Sequence, residues 1–427
     1  MKPTATTRLR AHIAMLLAIC LLTACHTSAP VAAPVVTSQP APETVAVAPA
    51  PAAAADVVRP DTAIVRSPLD LLVDSLRTLE RSQVSLLVYD LTEPRVVASL
   101  QPDQRMRPAS CTKLLTAITA LTQLGPAHLF TTTLMMQPSG STAQACRTLC
   151  VRGSMDPLFS RSDLSALIDT LRQAGIKKIE GDIVLDVTFK DTLRYGEGWC
   201  WDDPNPVLYA LLVDGRPTFA SALRAELKAR GISLGGKIRE AAAPSGCRTV
   251  AQVSHTLQQV LAPTLLESNN LCAETVYFRL AASQRPVRAT AKDARRAEEQ
   301  LLRQLGHGPS DYRLADGSGL SLYNYLSARI LTDLLRHAYS REDIVWALFE
   351  NLPVAGQSGT LKNRMKGTPA ERRVWAKTGT VTGVSSLAGY ALTKDNHTLC
   401  FAIVHNGIER AADARALQDR ICIELTR

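Results

Sequence analysis

The chain has 427 residues, of which 46% are hydrophobic, 20% charged and 5% aromatic, and its formal net charge is +9. This length and apolar content suffice for a large buried core, which excludes a small disulfide-stapled protein and a wholly disordered chain. No run of Lys and Arg interleaved with aromatic residues occurs, so we expect no nucleic-acid partner. The length allows two or three domains, or one domain with an insertion, and we favour the insertion.

Residues 1–24 have the pattern of a secretory signal peptide. Basic residues within the first ten positions precede the apolar stretch 13–22, which is too short for a stable transmembrane helix. The stretch ends in Leu22-Thr23-Ala24-Cys25, which resembles a bacterial lipobox, where cleavage before the cysteine leaves Cys25 to carry lipid. The alternative is an ordinary signal cleaved after Ala24. We therefore expect an exported protein whose membrane attachment is a lipid anchor.

A linker is expected over residues 25–62. The segment is built almost entirely of Ala, Pro, Val, Thr and Ser, a composition that cannot form a packed core. Pro-rich chains of this kind are extended spacers, so the segment would tether a folded part that begins near residue 63.

Ten cysteines occur, and eight remain after Cys20 leaves with the signal and Cys25 is assigned to lipid. An even number in an oxidising compartment permits disulfides, although spacing does not define their pairing. No repeated C-x-x-C with His is present, so we predict no metal site and no cofactor. We expect Cys400 and Cys422 to be buried free thiols. One or two disulfide bridges remain an open alternative among Cys146, Cys150, Cys200 and Cys247.

The hydrophobic periodicity divides the folded part into three blocks. The first has a helix that begins after Ser67, strands at 85–91 and 96–100, and a helix from Ser110 to the stop at Gly125. The second block alternates strands and helices: 131–136, 150–153, 163–173, 178–187 and 219–227. The third has helices, three strands and a closing helix: 253–261, 265–281, 291–305, 326–338, 373–381, 385–392, 398–405 and 411–425.

Helices and strands at both ends, with helices between them, indicate an α/β (α+β) fold in which an antiparallel sheet is sandwiched by helices. We assign residues 63–127 and 250–427 to this domain. The alternation of strands and helices over residues 128–249 differs from the pattern on either side and indicates an inserted α/β domain.

The first of three short motifs is Ser110-Cys111-Thr112-Lys113. On a helix, residues three apart share a face, and here apolar residues continue that face, so we expect Lys113 to point into the interior. A desolvated ammonium has a lowered pKa and can accept the Ser110 proton. The helix N-terminus would favour negative charge on Ser110. The alternative is a Ser N-cap followed by a surface lysine.

The second motif is Ser268-Asn269-Asn270, at a junction between two helical patterns. In the functional interpretation Ser268 passes a proton and Asn270 holds a substrate amide. The alternative is a pair of polar helix caps.

The third motif is Lys377-Thr378-Gly379-Thr380, at the end of a strand. Gly379 would let another backbone approach the strand, Thr378 and Thr380 can bind a carboxylate, and Lys377 supplies positive charge. The alternative is an edge strand protected by its lysine.

In this order, Ser-x-x-Lys, Ser-x-Asn and Lys-Thr-Gly resemble the active site of penicillin-binding proteins and serine β-lactamases. The flanking sequence is similar to the D-alanyl-D-alanine carboxypeptidase/endopeptidase family of low-molecular-mass penicillin-binding proteins, over nearly everything after residue 65. The similar stretches are Arg107-Pro-Ala-Ser-Cys-Thr-Lys113, Gly153-Ser-Met-Asp-Pro157, Gly181-Asp-Ile-Val-Leu-Asp186, Glu267-Ser-Asn-Asn-Leu-Cys-Ala-Glu274, Ala315-Asp-Gly-Ser-Gly-Leu-Ser321, Leu352-Pro-Val-Ala-Gly-Gln-Ser-Gly-Thr-Leu361 and Ala376-Lys-Thr-Gly-Thr380.

The resemblance implies a β-lactamase/transpeptidase-like fold and a serine peptidase that acts on the D-Ala-D-Ala end of peptidoglycan stem peptides, with β-lactams as inhibitors. It implies these roles: Ser110 as nucleophile, Lys113 as its base, Ser268 as proton relay, Asn270 as substrate orienter, Lys377, Thr378, Gly379 and Thr380 at the substrate carboxylate, the N–H groups of Ser110 and Thr380 as oxyanion hole, and Asp156 near substrate.

Two departures from the family stand out. The chain runs from residues 201–206 into the helix at 219–227 within a short distance, so a further β domain common in the family is expected to be absent or vestigial. Asn269 replaces a frequent Asp.

Two other functions stay open. A serine β-lactamase would need a separate deacylating base, and no Glu or Tyr motif for one is evident. A non-catalytic peptidoglycan-binding protein is opposed by the intact Ser110, Lys113 and Lys377.

Other serines and histidines do not complete a known catalytic pattern. Ser318 and Ser358 lie in Gly-rich loops without a full Gly-x-Ser-x-Gly. The histidines have neither H-E-x-x-H nor paired spacing, so neither a zinc peptidase nor a Ser-His-Asp triad is predicted. We interpret His405 as a turn residue.

Overall fold

The computed structural model describes residue 69 and residues 72–74, 83–140, 142–202 and 204–427. The expected signal peptide, Cys25, the linker and most of the helix expected after Ser67 lie outside the described residues. Within the described residues, no helix is long and apolar enough to cross a membrane.

The described strands and helices follow one another in two groups that build two sheets. The strands are β1 (Gln83–Asp90), β2 (Arg95–Leu100), β3 (Leu129–Pro138), β4 (Ala145–Arg152), β5 (Lys178–Ile179), β6 (Ile183–Asp186), β7 (Ser233–Leu234), β8 (Ile238–Glu240), β9 (Arg248–Thr256), β10 (Val374–Val381), β11 (Val384–Leu392) and β12 (Thr398–Asn406). The helices are α1 (Thr112–Leu124), α2 (Arg161–Gln173), α3 (Phe219–Ala229), α4 (Leu257–Leu266), α5 (Asn270–Gln284), α6 (Ala291–Gln304), α7 (Ala328–Tyr339), α8 (Glu342–Phe349) and α9 (Ala411–Leu425).

The first sheet is antiparallel and has the order β10-β11-β12-β1-β2. Strand β11 is buried along its whole length, because helices cover both faces of the sheet. On one face Ile421 of α9 packs with Leu86 and Phe401 in an apolar cluster. On the other face the Tyr390 hydroxyl donates to the Leu335 carbonyl of α7. The expected antiparallel sheet between helices is confirmed.

The second sheet contains β3 to β9 and mixes both strand directions. Strand β3 pairs antiparallel with β4 and β9, whereas the pairs β4-β6, β4-β5, β5-β7 and β6-β8 are parallel. Helices α2 and α3 pack against this sheet through apolar residues such as Leu167 and Leu223. The sheet lies in the chain between the first motif and the second.

Three expected elements differ from the structure. The helix expected at 253–261 is wrong at its start, because residues 248–256 form β9 and pair with β3, and Thr256 then caps α4. The helix expected at 265–281 is interrupted, because α4 ends at Leu266 and the Asn269 side chain caps a new helix, α5. The strand expected at 178–187 is two short strands, β5 and β6.

The eight cysteines of the described residues are free. Cys400 and Cys422 are buried free thiols, as expected. Cys146, Cys150, Cys200 and Cys247 do not pair.

The interpretation of His405 as a turn residue is wrong. His405 pairs with Ser385 inside the first sheet and is fully buried. Burial lowers its pKa to about 4, so the ring is neutral at pH 7.

Candidate active site

Ser110 lies in a single 3-10 turn, Ala109–Cys111, that leads directly into α1. Ala109 has a positive φ of 47°, a conformation that is unfavourable for a residue with a Cβ. The neighbouring Cys111 is fully buried, and its thiol donates to the Lys377 carbonyl at 3.3 Å. The turn thus holds Ser110 at the helix N-terminus and beside β10.

Lys113 is one helical turn from Ser110 and is fully buried. Its Nζ donates to Ser110 Oγ at 2.9 Å, to Asn270 Oδ1 at 2.7 Å and to the Ser318 carbonyl at 2.7 Å. These three acceptors match the three hydrogens of an ammonium group. The expectation that Lys113 points inward is confirmed, and the alternative of a surface lysine is wrong.

The surroundings of Lys113 lower its pKa to about 7. Burial is the largest cause, followed by the positive charge of Lys377, while the negative charge of Asp316, and that of Glu274 in its ionised form, act in the opposite direction. A substantial fraction of Lys113 is therefore neutral at pH 7 and can accept a proton.

The second motif serves as both a helix cap and part of this cluster. Asn269 accepts a hydrogen bond from the Cys272 N–H and caps α5. Ser268, with a positive φ of 61°, accepts a hydrogen bond from Lys377, and Asn270 accepts one from Lys113. A helix cap is therefore present at Asn269, whereas the proton relay by Ser268 and the orientation of substrate by Asn270 stay predictions.

Lys377 of β10 is fully buried, although β10 is an edge strand. Its Nζ donates to Ser268 Oγ at 2.8 Å and to the Thr378 carbonyl at 2.7 Å. Burial lowers the pKa of Lys377 to about 8. The alternative of a solvated lysine that protects the edge is wrong.

Gly379 brings β10 against the turn that carries Ser110. A Cβ at this position would lie 2.2 Å from Ser386 Oγ, 2.7 Å from the Pro108 carbonyl oxygen and 3.0 Å from the Ser110 nitrogen. Two of these atoms belong to the backbone and cannot turn away. Only glycine therefore permits this approach, as expected.

The two threonines of the third motif differ in their surroundings. Thr378 is half-buried, and its hydroxyl donates to Thr360 Oγ1 at 2.8 Å. Thr380 is exposed near the end of the strand. A contact of either threonine with a substrate carboxylate stays a prediction.

Asp156 does not join this hydrogen-bonded cluster. It is buried, its Oδ2 lies 2.8 Å from His255 Nδ1, and its Oδ1 accepts the Leu158 N–H in a turn. The hydrogen bond to Leu158 agrees with the alternative of a turn residue before proline. A contact between Asp156 and substrate stays a prediction.

The sequence reasoning missed the loop 316–321 as part of the site. Ser318, considered there only as a rival nucleophile, has a fully buried side chain, and its carbonyl accepts a hydrogen bond from Lys113. A second missed residue is Glu274, whose Oε1 accepts the Gly317 and Ser318 N–H groups. The Gly-rich sequence of the loop is evident, but a hydrogen bond accepted by a backbone carbonyl does not depend on any particular side chain. A sequence motif therefore could not predict this contact.

The sequence model of the D-Ala-D-Ala carboxypeptidase 3 (S13) family matches residues 66–212 and 204–426. The chain belongs to this family. It is 28% identical to a D-alanyl-D-alanine carboxypeptidase from Actinomadura sp. (strain R39), over 84% of each chain. The protein is thus a peptidase of the hydrolase class.

Solved structures agree in fold. Penicillin binding protein 4 (DacB) from Haemophilus influenzae superposes with a TM-score of 0.76 at 22% identity, over 83% of this chain and 98% of that one. The penicillin G-acylated predatory endopeptidase Bd3459 from Bdellovibrio bacteriovorus superposes with a TM-score of 0.53 at 18% identity, over 80% and 90%.

Gly379→Ala should slow acylation by benzylpenicillin about 100-fold, because the added methyl group forces β10 away from Ser110 and a displacement of about 1 Å can have that effect. Gly308→Ala is the matched control, since its Cβ would meet nothing closer than 3.7 Å. The measurement is the second-order acylation rate constant from intact mass. Equal rates for both variants would contradict the proposed contact.

Proposed function

We propose that this chain is a serine-type D-Ala-D-Ala carboxypeptidase/endopeptidase that forms an acyl-enzyme on Ser110 with peptidoglycan stem peptides. The observation that carries the proposal is the pair Ser110 and Lys113, whose Oγ and Nζ lie 2.9 Å apart. The lowered pKa of Lys113 makes it a competent base at neutral pH.

In the acylation step, neutral Lys113 takes the proton of Ser110 Oγ, and the oxygen attacks the carbonyl carbon of the penultimate D-Ala. A new C–O bond forms, the C–N bond breaks, and the leaving amine takes the hydroxyl proton of Ser268. Lys377 already donates to Ser268 Oγ at 2.8 Å and can replace that proton. Water then attacks the ester and gives a proton through Ser268 back to Lys377, and Ser110 Oγ leaves with the proton held by Lys113, so that Ser110 and both lysines are restored and the carboxylic acid is released.

The substrate ends in a carboxylate, and β10 offers a matching surface. Lys377 supplies positive charge beneath Thr378, Gly379 and Thr380, whose hydroxyl and N–H groups can donate to the carboxylate. The N–H groups of Ser110 and Thr380 would stabilise the oxyanion, which is consistent with the close approach of Gly379 to the Ser110 nitrogen.

Penicillin should acylate Ser110 as well. The acylated state of the Bdellovibrio bacteriovorus endopeptidase supports this expectation. A β-lactam carries both a reactive amide and a carboxylate. The amide can react with Ser110, and the carboxylate can bind at β10 as the substrate carboxylate would.

We also propose that residues 63–127 and 257–427 form the catalytic domain and that the α/β domain between them is an insertion. The position of its sheet, from β3 to β9, supports this division. The end at residue 256 replaces the expected 249, because β9 pairs with β3 up to Thr256. That this domain is reduced relative to the family stays a prediction.

We propose that the protein is exported to the cell envelope as a lipoprotein, with lipid on Cys25. The motif Leu22-Thr23-Ala24-Cys25 supports this proposal. Cells that express the full chain should incorporate labelled palmitate into the protein, and Cys25→Ser should abolish the incorporation. A mature N-terminal Cys25 without lipid would contradict the anchor and support an ordinary signal peptide.

Ser110→Ala should abolish the covalent adduct with benzylpenicillin and the release of D-alanine from a D-Ala-D-Ala peptide, because no other hydroxyl lies within hydrogen-bond reach of the Lys113 amine among its described partners. Intact mass and free drug are followed together. Ser221→Ala is the control, because this serine lies on α3 and bonds only to the Thr218 carbonyl in the described structure.

A persistent adduct on the unaltered protein supports a penicillin-binding peptidase. Rapid loss of drug without an adduct would support a β-lactamase. Neither adduct nor loss would support a peptidoglycan-binding protein without activity. Labelling of Ser110→Ala would overturn the assignment of the nucleophile.

A further inference from the structure

Helix α5 presents two polar side chains to the Lys113 cluster. Asn270 and Glu274 are four residues apart and share a helix face. Asn270 contacts Lys113 directly, with 2.7 Å between Oδ1 and Nζ. Glu274, one turn further along, is 1% exposed, and among the described residues no basic side chain is in direct hydrogen-bond contact with its carboxyl group.

Glu274 is connected to Lys113 by hydrogen bonds to the backbone of one residue, Ser318. Its Oε1 accepts the Gly317 N–H at 3.1 Å and the Ser318 N–H at 2.8 Å. The carbonyl of that same Ser318 accepts the Lys113 ammonium at 2.7 Å. The carboxyl group and the ammonium are thus joined by the backbone of Ser318.

A second buried carboxylate holds the other side of this loop. Asp316 Oδ1 accepts the Gly319 N–H, and its Oδ2 accepts the Ser321 N–H. The three consecutive N–H groups of residues 317 to 319 therefore all donate hydrogen bonds to buried carboxyl oxygens. Gly317 and Gly319 have no side chains that could hold the loop, so these bonds set the direction of the Ser318 carbonyl.

We propose that Glu274 is a positioning residue for the acylation reaction, which holds the Ser318 carbonyl where it orients Lys113 toward Ser110. The inference rests on the proposed role of Lys113 as the base. Glu274 itself does not touch Ser110. It acts by keeping the third acceptor of the Lys113 ammonium in place.

The protonation state of Glu274 suits this role. Burial raises its pKa to about 8, and the negative charge of Asp316 adds to the rise, so the group is largely protonated at pH 7. A neutral carboxyl still accepts two N–H groups through its carbonyl oxygen. Glutamine is therefore its closest uncharged equivalent.

The ionisable groups around the pair come from each neighbouring element. Those that act on Lys113 or Glu274 are Cys111 from the first turn, Cys272 and Tyr277 from α5, Glu298 from α6, Asp316 from the loop and Lys377 from β10. The Glu274 variants leave all six in place. A change in the titration of Lys113 would thus report on the Ser318 carbonyl and on Glu274 alone.

The test measures the second-order rate constant of acylation by benzylpenicillin against pH, for the mature protein with Glu274→Gln and Glu274→Ala. Glu274→Gln should keep the plateau rate and the midpoint of the acid limb within about twofold and 0.2 pH units of the unaltered protein. Glu274→Ala removes the acceptor of the Gly317 and Ser318 N–H groups and loosens the Ser318 carbonyl, which Asp316 then holds only through the Gly319 N–H of the same peptide. Because the ammonium then loses an ordered acceptor, the acid limb should move to lower pH, and the plateau should fall about tenfold.

Asp186→Ala is the matched control. It removes another buried carboxyl, which bonds Arg152 and Thr188 in the second sheet, and should leave the acid limb unchanged even if the melting temperature falls. If Glu274→Ala does not fold, Glu274→Asp replaces it. The shorter side chain withdraws its oxygen from the two N–H groups, and the same shift is expected.

An unshifted acid limb in Glu274→Ala, or a Glu274→Gln variant as impaired as Glu274→Ala, would overturn the proposal. Both results leave the proposed function intact, because the unaltered protein still forms its adduct on Ser110. A lack of acylation in the unaltered protein would overturn the proposed function, and this inference with it.

Discussion

The site depends on the burial of an ammonium group on Lys113 among three oxygen acceptors. Water is replaced by Ser110 Oγ, Asn270 Oδ1 and the Ser318 carbonyl, each within 2.9 Å. These hydrogen bonds keep the lysine in place, but they do not fully compensate the charged form for its lost hydration. The pKa of Lys113 therefore falls to about 7. One constraint thus both orients the Lys113 amine and leaves part of it unprotonated near neutral pH, as its proposed role as a base requires.

The rest of the fold brings those acceptors together. Ser110 lies at the start of α1, Asn270 at the start of α5, and Ser318 in a loop held by two buried carboxyl groups. The antiparallel sheet closes the site from the remaining side, because Gly379 lets β10 approach the turn of Ser110. Lys377 then bonds Ser268, and its positive charge acts on Lys113.

Side-chain motifs were sufficient to predict much of this arrangement. The Ser-x-x-Lys spacing predicted an inward Lys113, and the glycine of Lys377-Thr378-Gly379-Thr380 predicted a close backbone contact; both agree with the structure. The loop of Ser318 could not be predicted in the same way, because its contribution is a backbone carbonyl. Strand β9 was missed because its half-exposed pattern is paired to β3, a tertiary contact that local periodicity does not report.

We propose that a buried lysine of lowered pKa activates Ser110, and the pH dependence of acylation by benzylpenicillin is the measurement that tests this role. The rate constant should rise through pH 7 as Lys113 loses its proton and fall above pH 8 as Lys377 loses its charge, which gives a narrow bell. A rate constant that continues to rise toward pH 10.5, the pKa of an ordinary lysine, would show that Lys113 is not the base.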